Sequence, residues 1–202
     1  MGRYESVAVY CASSDGLSPH WRAALAELGG AIARRGLTLV YGGGRVGLMG
    51  AVADAALAEG GKVIGVIPRA MVEAERAHTG VSDLRVVDTM HQRKQLMVDL
   101  SGAFIAAPGG FGTLDELFET ITWAQLGIHG KPIGLLNTPL HGPGSPGFYD
   151  GLAAFLDTTV ASGFIQPRFR ALIQSAAAPD ALLDLLARAQ PVQGAGWARR
   201  PG

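Results

Sequence analysis

Short apolar runs rich in β-branched residues alternate along the chain with longer stretches whose apolar positions recur every three to four residues. The runs at 6–11 (SVAVYC), 37–41 (LTLVY), 62–67 (KVIGVI), 84–88 (LRVVD), 103–107 (AFIAA) and 132–137 (PIGLLN) predict six strands. A further short strand is expected near 170–174. The helical stretches carry their own punctuation. Ser18 offers an N-cap with Pro19 at the first helical position, and Gly36 a stop after residue 35. Further helices are expected over 46–59, 89–100, 113–126, 149–162 and 179–189. The stretch 138–147 holds three Pro and three Gly and reads as a loop.

Strands that alternate with helices predict an α/β fold, Rossmann-like, with a central parallel sheet between two helical layers. The strands are apolar almost throughout, as sheets covered on both faces require. Residues 1–190 are expected to form one domain, and 191–202 a flexible C-terminal tail. In such folds ligands sit beyond the carboxyl ends of the strands, so the residues just after each strand are where chemistry should lie.

Composition narrows the function classes. The chain has 202 residues, enough for one full core, with 48% hydrophobic and 17% charged. Lys+Arg and Asp+Glu balance at 17 each. A neutral chain lacks the electrostatic footprint for coating nucleic acid or an anionic membrane, so any phosphate must be gripped locally. The single cysteine, Cys11, excludes an internal disulfide framework and suits a reducing compartment. The N-terminal apolar run is too short for a signal peptide, and no 18-residue apolar run suggests a membrane span. A cytoplasmic protein is expected.

Glycine is in excess, 29 of 202, and two clusters stand where the fold rule directs attention. The first, GGGRVG at 42–47, follows a strand and opens a helix. It matches G-x-G-x-x-G, in which glycines let backbone amides approach an anion. A dinucleotide site would also need an acid at the end of the next strand, but that strand ends VIPR at 66–69. Gly43 and Gly44 therefore point to phosphate approach without a whole dinucleotide, or to a tight turn with close helix–strand packing.

The second cluster, PGGFGTLDE at 108–116, also runs from a strand into a helix. Four amides and a threonine hydroxyl at a helix N-terminus make a phosphate cradle. Helical spacing would place Leu114, Leu117, Phe118, Ile121 and Gln125 toward the core, and Thr113, Glu116 and Thr120 on another face above the loop. Asp115 and Glu116 either complement the helix dipole or act on the ligand. A third element, MHQRK at 90–94, starts the helix after LRVVD. Met90, Arg93, Lys94 and Met97 share one face, so two cations lie on an apolar stripe, where they either snorkel or bind a ligand. The five histidines show no metal spacing. A serine-hydrolase elbow and a Walker A motif are both missing.

Taken together, GGG, MHQRK and PGGFGTLDE resemble the LONELY GUY family of cytokinin riboside 5'-monophosphate phosphoribohydrolases. The family pattern PGGxGTxxE is met in full from Pro108 to Glu116. The likeness runs on through ITWAQLGIHGKPIGLLN, and covers roughly residues 7 to 186. It implies an N-glycosyl hydrolase that splits a nucleoside 5'-monophosphate into free base and ribose 5-phosphate. Water would be the co-substrate, with no metal or other cofactor. It also implies a homodimer with the active site near the subunit interface.

By the same resemblance Gly109, Gly110, Gly112 and Thr113 would hold phosphate, flanked by Phe111 and Leu114. Arg93 and Glu116 would be the catalytic pair, with Lys94 beside them. Met90 would pack against the base, and Glu75 matches a substrate-contacting acid. Asp115 departs from the Glu of many members, which shortens a contact on the ribose side. Members of the family have carried the label lysine decarboxylase, for which this chain offers no pyridoxal-phosphate lysine context.

The chemistry agrees with that assignment. Breaking the C1'–N9 bond builds oxocarbenium character on the ribose, which a nearby carboxylate stabilises while activating water. Two other readings fit the same residues: a general purine nucleoside-monophosphate nucleosidase acting on AMP or GMP, and a non-catalytic nucleotide or cofactor carrier of similar fold.

Overall fold

The computed structural model describes residues 4–72 and 77–190. Seven parallel strands form one sheet in the order β4-β3-β2-β1-β5-β6-β7. They are β1 (Ser6–Tyr10), β2 (Thr38–Tyr41), β3 (Val63–Pro68), β4 (Asp83–Val87), β5 (Ala103–Ala106), β6 (Ile133–Leu136) and β7 (Ile173–Ala176). The helices are α1 (Pro19–Arg34), α2 (Gly47–Ala58), α3 (Met90–Leu100), α4 (Phe111–Leu126), α5 (Asp150–Ala161), α6 (Pro167–Arg170) and α7 (Pro179–Arg188). A 3-10 turn at Arg69–Met71 follows β3. None of these helices is long and apolar enough to cross a membrane.

Successive side chains of β1 go to opposite faces, as a pleated strand requires. Val7, Val9 and Cys11 join the core under α1, α2 and α7, while Ala8 and Tyr10 join the one under α3 and α4. The inner strands are buried on both faces, but β4 and β7, at the edges, are only partly covered. That explains why the inner strands read as continuous apolar runs. The α1 boundary follows its signals: the Ser18 side chain accepts from the His20 amide, and Pro19 occupies the first turn.

Three expectations are corrected. The last strand lies at Ile173–Ala176, because Pro167 starts the short helix α6 and carries the chain through Arg170 before it straightens. Helix α4 begins at Phe111, two residues earlier than expected, with Gly110 as its N-cap. Glycine at position 112 was read as loop, yet a helix start tolerates it. The buried stripe of α4 is Thr113, Leu117, Thr120 and Ala124, whereas Phe118 is exposed. The two threonines turn inward because β1 supplies a partner for one of them. The Tyr10 hydroxyl lies 3.1 Å from Thr120 Oγ1, which itself donates to the Glu116 carbonyl at 2.8 Å. The expected tail at 191–202 and the acid Glu75 lie outside the described residues.

Strand order reverses direction at β1, whose neighbours are β2 on one side and β5 on the other. The chain beyond β1 and the chain beyond β5 part to opposite faces there and leave a crevice. The two elements singled out from sequence for phosphate and for the acid, β5–α4 and its first turns, open into that crevice.

Candidate active site

The crevice holds a cavity of about 290 Å³. Its walls are Cys11–Ser14 beyond β1, Gly42 beyond β2, Met49 of α2, Arg93 of α3, and Gly110–Thr113 with Glu116 of α4. Gly110, Phe111, Gly112, Thr113, Arg93 and Glu116, separated by up to 23 residues in sequence, thus meet at one site. Gly43, Gly44, Met90, Lys94, Gly109, Leu114 and Asp115 do not line it.

The wall formed by α4 is a helix start. Leu114 N donates to the Gly110 carbonyl at 3.0 Å, the first turn's closing bond. The amides of Phe111, Gly112 and Thr113 precede it, so they have no acceptor within the helix, and their residues line the cavity. No acid stands in the first turn. Because α4 starts at Phe111, Asp115 and Glu116 belong to its second turn, which removes the dipole-complement explanation for Glu116. Added Cβ atoms on Gly110 and Gly112 would meet nothing within 4 Å, whereas one on Gly109 would overlap the Thr113 hydroxyl. Gly109 is therefore required by packing. Gly110 and Gly112 leave the mouth open. Phe111 stands 92% exposed beside that mouth.

Arg93 is placed by the start of α3. A capping box fixes this helix: Thr89 Oγ1 accepts from the Gln92 amide at 3.1 Å, and Gln92 Oε1 accepts from the amides of Thr89 and Asp88. Such a cap contributes about 1 kcal/mol and sets the helix phase. Arg93, one residue on, then points inward and is 6% exposed. Its Nε donates to the Val66 carbonyl at 3.1 Å and Nη2 to the Gly42 carbonyl at 3.0 Å. Nη1 lies 3.7 Å from Glu116 Oε1 and 4.0 Å from Met90 Sδ. A guanidinium desolvated this far needs several partners, since breaking a buried pair costs about 3–5 kcal/mol. Two backbone carbonyls orient the fork, and its remaining edge addresses the Glu116 carboxylate at the cavity wall.

Lys94 has a different place from that expected. It bridges Asp115 at 3.2 Å and Glu119 at 3.1 Å on the outer side of α3 and α4. Burial works against its charge, but the hydrogen bonds to Glu119 and Asp115 outweigh it and raise the ammonium above its ordinary value. The shorter acid Asp115 is thus engaged with Lys94, 60% exposed, away from the cavity. Gly43 packs on β3, its added Cβ lying 3.0 Å from Ile67 Cβ, and Gly44 bridges to Ala77. Within the glycine run, Gly42 lines the cavity and the next two make the turn.

Sequence reasoning missed Met49 as a wall of the cavity, where Cys11, Ser13 and Ser14 also stand. The signal that finds them is topological, because they flank the β1 crevice. Burial beside Glu116 raises the Cys11 thiol well above its ordinary range, opposed by Arg93, so it stands there as a neutral thiol.

These features define a class: a doubly wound sheet that offers a helix start and an Arg–Glu pair at its switch point, the arrangement expected for a phosphorylated ligand. The family model described as possible lysine decarboxylase matches residues 49–186. A probable cytokinin riboside 5'-monophosphate phosphoribohydrolase of Oryza sativa subsp. japonica is 47% identical over 190 residues, 94% of this chain and 81% of the relative. A cytokinin riboside 5'-monophosphate phosphoribohydrolase of Arabidopsis thaliana is 44% identical over 189 residues, 94% of this chain and 85% of the relative. The chain belongs to this phosphoribohydrolase family, the LONELY GUY family.

Among solved structures, the molybdenum cofactor binding protein of Rippkaea orientalis superposes with a TM-score of 0.65 at 22% identity, covering 91% of this chain and 95% of that one. The molybdenum cofactor carrier protein of Chlamydomonas reinhardtii gives 0.65 at 21% identity, covering 90% and 95%. These likenesses show the fold. The family model's description finds no support in the lysines. Lys62 is exposed just before β3, Lys131 donates to the Val98 carbonyl just before β6, and Lys94 is engaged by two carboxylates. No lysine lines the cavity to form an aldimine.

Proposed function

We propose that the protein hydrolyses the N-glycosidic bond of cytokinin riboside 5'-monophosphates, and of AMP, giving free base and D-ribose 5-phosphate. The observation that carries this reading is Glu116 facing the cavity beside Arg93, one helical turn from the open amides at the start of α4. Family membership supports it.

In this reading the 5'-phosphate sits on the amides of Gly110, Phe111, Gly112 and Thr113, where the helix dipole favours negative charge. Binding so far from the bond that breaks fixes the sugar without weakening the reaction's drive. The C1'–N9 pair of electrons leaves with the base, and positive charge grows on C1' and the ring oxygen. The Glu116 carboxylate stabilises that charge and takes a proton from water as its oxygen bonds to C1'. The proton passes on to the departing base. Arg93, held by the Gly42 and Val66 carbonyls, fixes the carboxylate's direction and offers donors to the ribose hydroxyls.

Water is the co-substrate and a homodimer is the working form. Val86, Met90 and Phe118, exposed apolar side chains on β4, α3 and α4, support such a self-association surface beside the site. Glu75 and Met90 are assigned to the substrate in the same proposal. The test is Glu116→Ala assayed for base release and, separately, for nucleotide binding. Turnover falls by roughly 100-fold or more while binding is retained. Near-normal turnover removes Glu116 from the chemistry.

A further inference from the structure

His78 and Asp54 lie outside the cavity, and the reaction as described does not use them. His78 is nonetheless 6% exposed and satisfied at every polar atom of its ring. Its Nδ1 accepts from the Gly80 amide at 3.2 Å. Nε2 must then carry the proton, and it donates to Asp54 Oδ1 of α2 at 2.9 Å. The His78 backbone amide donates to the Gly43 carbonyl at 2.9 Å, and the neighbouring Ala77 bridges Gly44.

The glycine so held is a turning point. Gly43 has φ +79°, and the peptide before it carries the Gly42 carbonyl that accepts from Arg93 Nη2. Glycine peptides rotate with little steric resistance. If the peptide between Gly42 and Gly43 turned over, the Gly42 carbonyl would leave Arg93, and the guanidinium would lose one of its two backbone anchors. Gly43 is restrained on one side by packing against Ile67 and on the other by the His78 amide.

We infer that His78, its ring fastened by Asp54 and Gly80, is a positioning residue for the reaction: the fastened ring keeps the His78 amide on the Gly43 carbonyl, which steadies Gly43 against the turning of the peptide before it and so keeps the Arg93 fork aimed at Glu116. The inference deepens the proposed function, and its test is divided so that the two fail separately. One arm reads kcat and KM for base release from AMP. The other follows hydrogen exchange of the Arg93 Nε–H by NMR, which needs no turnover.

In His78→Ala, kcat falls about tenfold or more with KM nearly unchanged, because misaim of a catalytic group costs rate more than binding. The Arg93 Nε–H exchanges faster in the same variant. His78→Gln, whose amide still reaches Asp54, recovers part of both losses. Asp54→Asn keeps an acceptor for Nε2 and stays near wild type, whereas Asp54→Ala follows His78→Ala. Ile32→Val, a core change in α1 remote from the site, serves as a control for lost stability and leaves kcat unchanged.

Should His78→Ala fail to fold, Asp54→Ala carries the test, since Asp54 is largely solvent-exposed. Unchanged kcat and unchanged Arg93 exchange in a folded Asp54→Ala or His78→Ala variant overturn the inference. A wild-type protein that releases no base overturns the proposed function instead, and the exchange arm still decides the role of His78.

Discussion

The Gly42 carbonyl accepts a hydrogen bond from Arg93 Nη2 at 3.0 Å, and the same glycine leaves no space for a β-carbon, which would overlap that guanidinium. One residue thus provides both the anchor and the clearance for the buried cation. Gly42→Ala must displace Arg93, because the Met49 sulfur closes the other side at 2.9 Å. The substitution is expected to cost about 1–3 kcal/mol in stability, the usual scale for overpacking. Turnover should fall by about 100-fold through the misplaced fork. Thermal melts and kcat measure the two effects, and a fully active Gly42→Ala protein contradicts the role given to Arg93.

Gly109 and Gly112 belong to one motif but should respond oppositely to alanine. A Cβ on Gly109 meets Thr113 and lies 3.1 Å from the Ala12 amide, so Gly109→Ala lowers the melting temperature. A Cβ on Gly112 meets nothing, and Gly112 lies in the first turn of α4. Gly112→Ala is therefore expected to hold or raise stability, by up to about 1 kcal/mol. The methyl would stand where a phosphate approaches the amides, so affinity for ribose 5-phosphate should drop. Calorimetric titration of each variant with ribose 5-phosphate, beside its melting curve, separates packing from ligand approach.

His129 makes stability depend on pH. Burial, aided by the Lys131 charge and opposed by a hydrogen bond with the Thr120 carbonyl, lowers its pKa from 6.5 to about 4. The unfolded chain therefore takes up a proton near pH 6.5 that the folded ring refuses until near pH 4. Stability from this group is complete above pH 6.5 and is lost as pH falls through that window. The slope is at most about 1.4 kcal/mol per pH unit, and less because the ring keeps some contact with water. His129→Asn retains an acceptor for the Lys131 amide and cannot titrate. Urea unfolding between pH 7 and pH 4 should show a flatter profile for that variant than for wild type.

The sheet and most helices were legible in the sequence because their signals are local. Ser18-Pro19 starts α1, the helical stretch from 89 to 100 marks α3, and apolar runs mark the inner strands. The α4 start was less legible, since glycine at 112 reads as loop while the opened helix end accommodates it. The stripe of α4 was misjudged because Thr113 and Thr120 are polar by type; only the Tyr10 hydroxyl on the facing strand β1 shows why Thr120 is inside. At the site, the motif residues Arg93 and Glu116 stood out, but their mutual distance depends on two helices meeting. Lys94 and Asp115 looked alike in sequence to their neighbours, and only the helix phases send them outward to each other. Met49 carried no signal, because nothing in its own segment reveals which strand end it faces.

The most direct test of the central claim is to incubate the protein with N6-isopentenyl-AMP and with AMP, and to follow free base and ribose 5-phosphate by chromatography. The proposed activity yields equimolar base and ribose 5-phosphate from both, with kcat/KM for each setting the preference. Unchanged nucleotide in both reactions, with AMP still bound tightly, would contradict it and leave a carrier of the same fold.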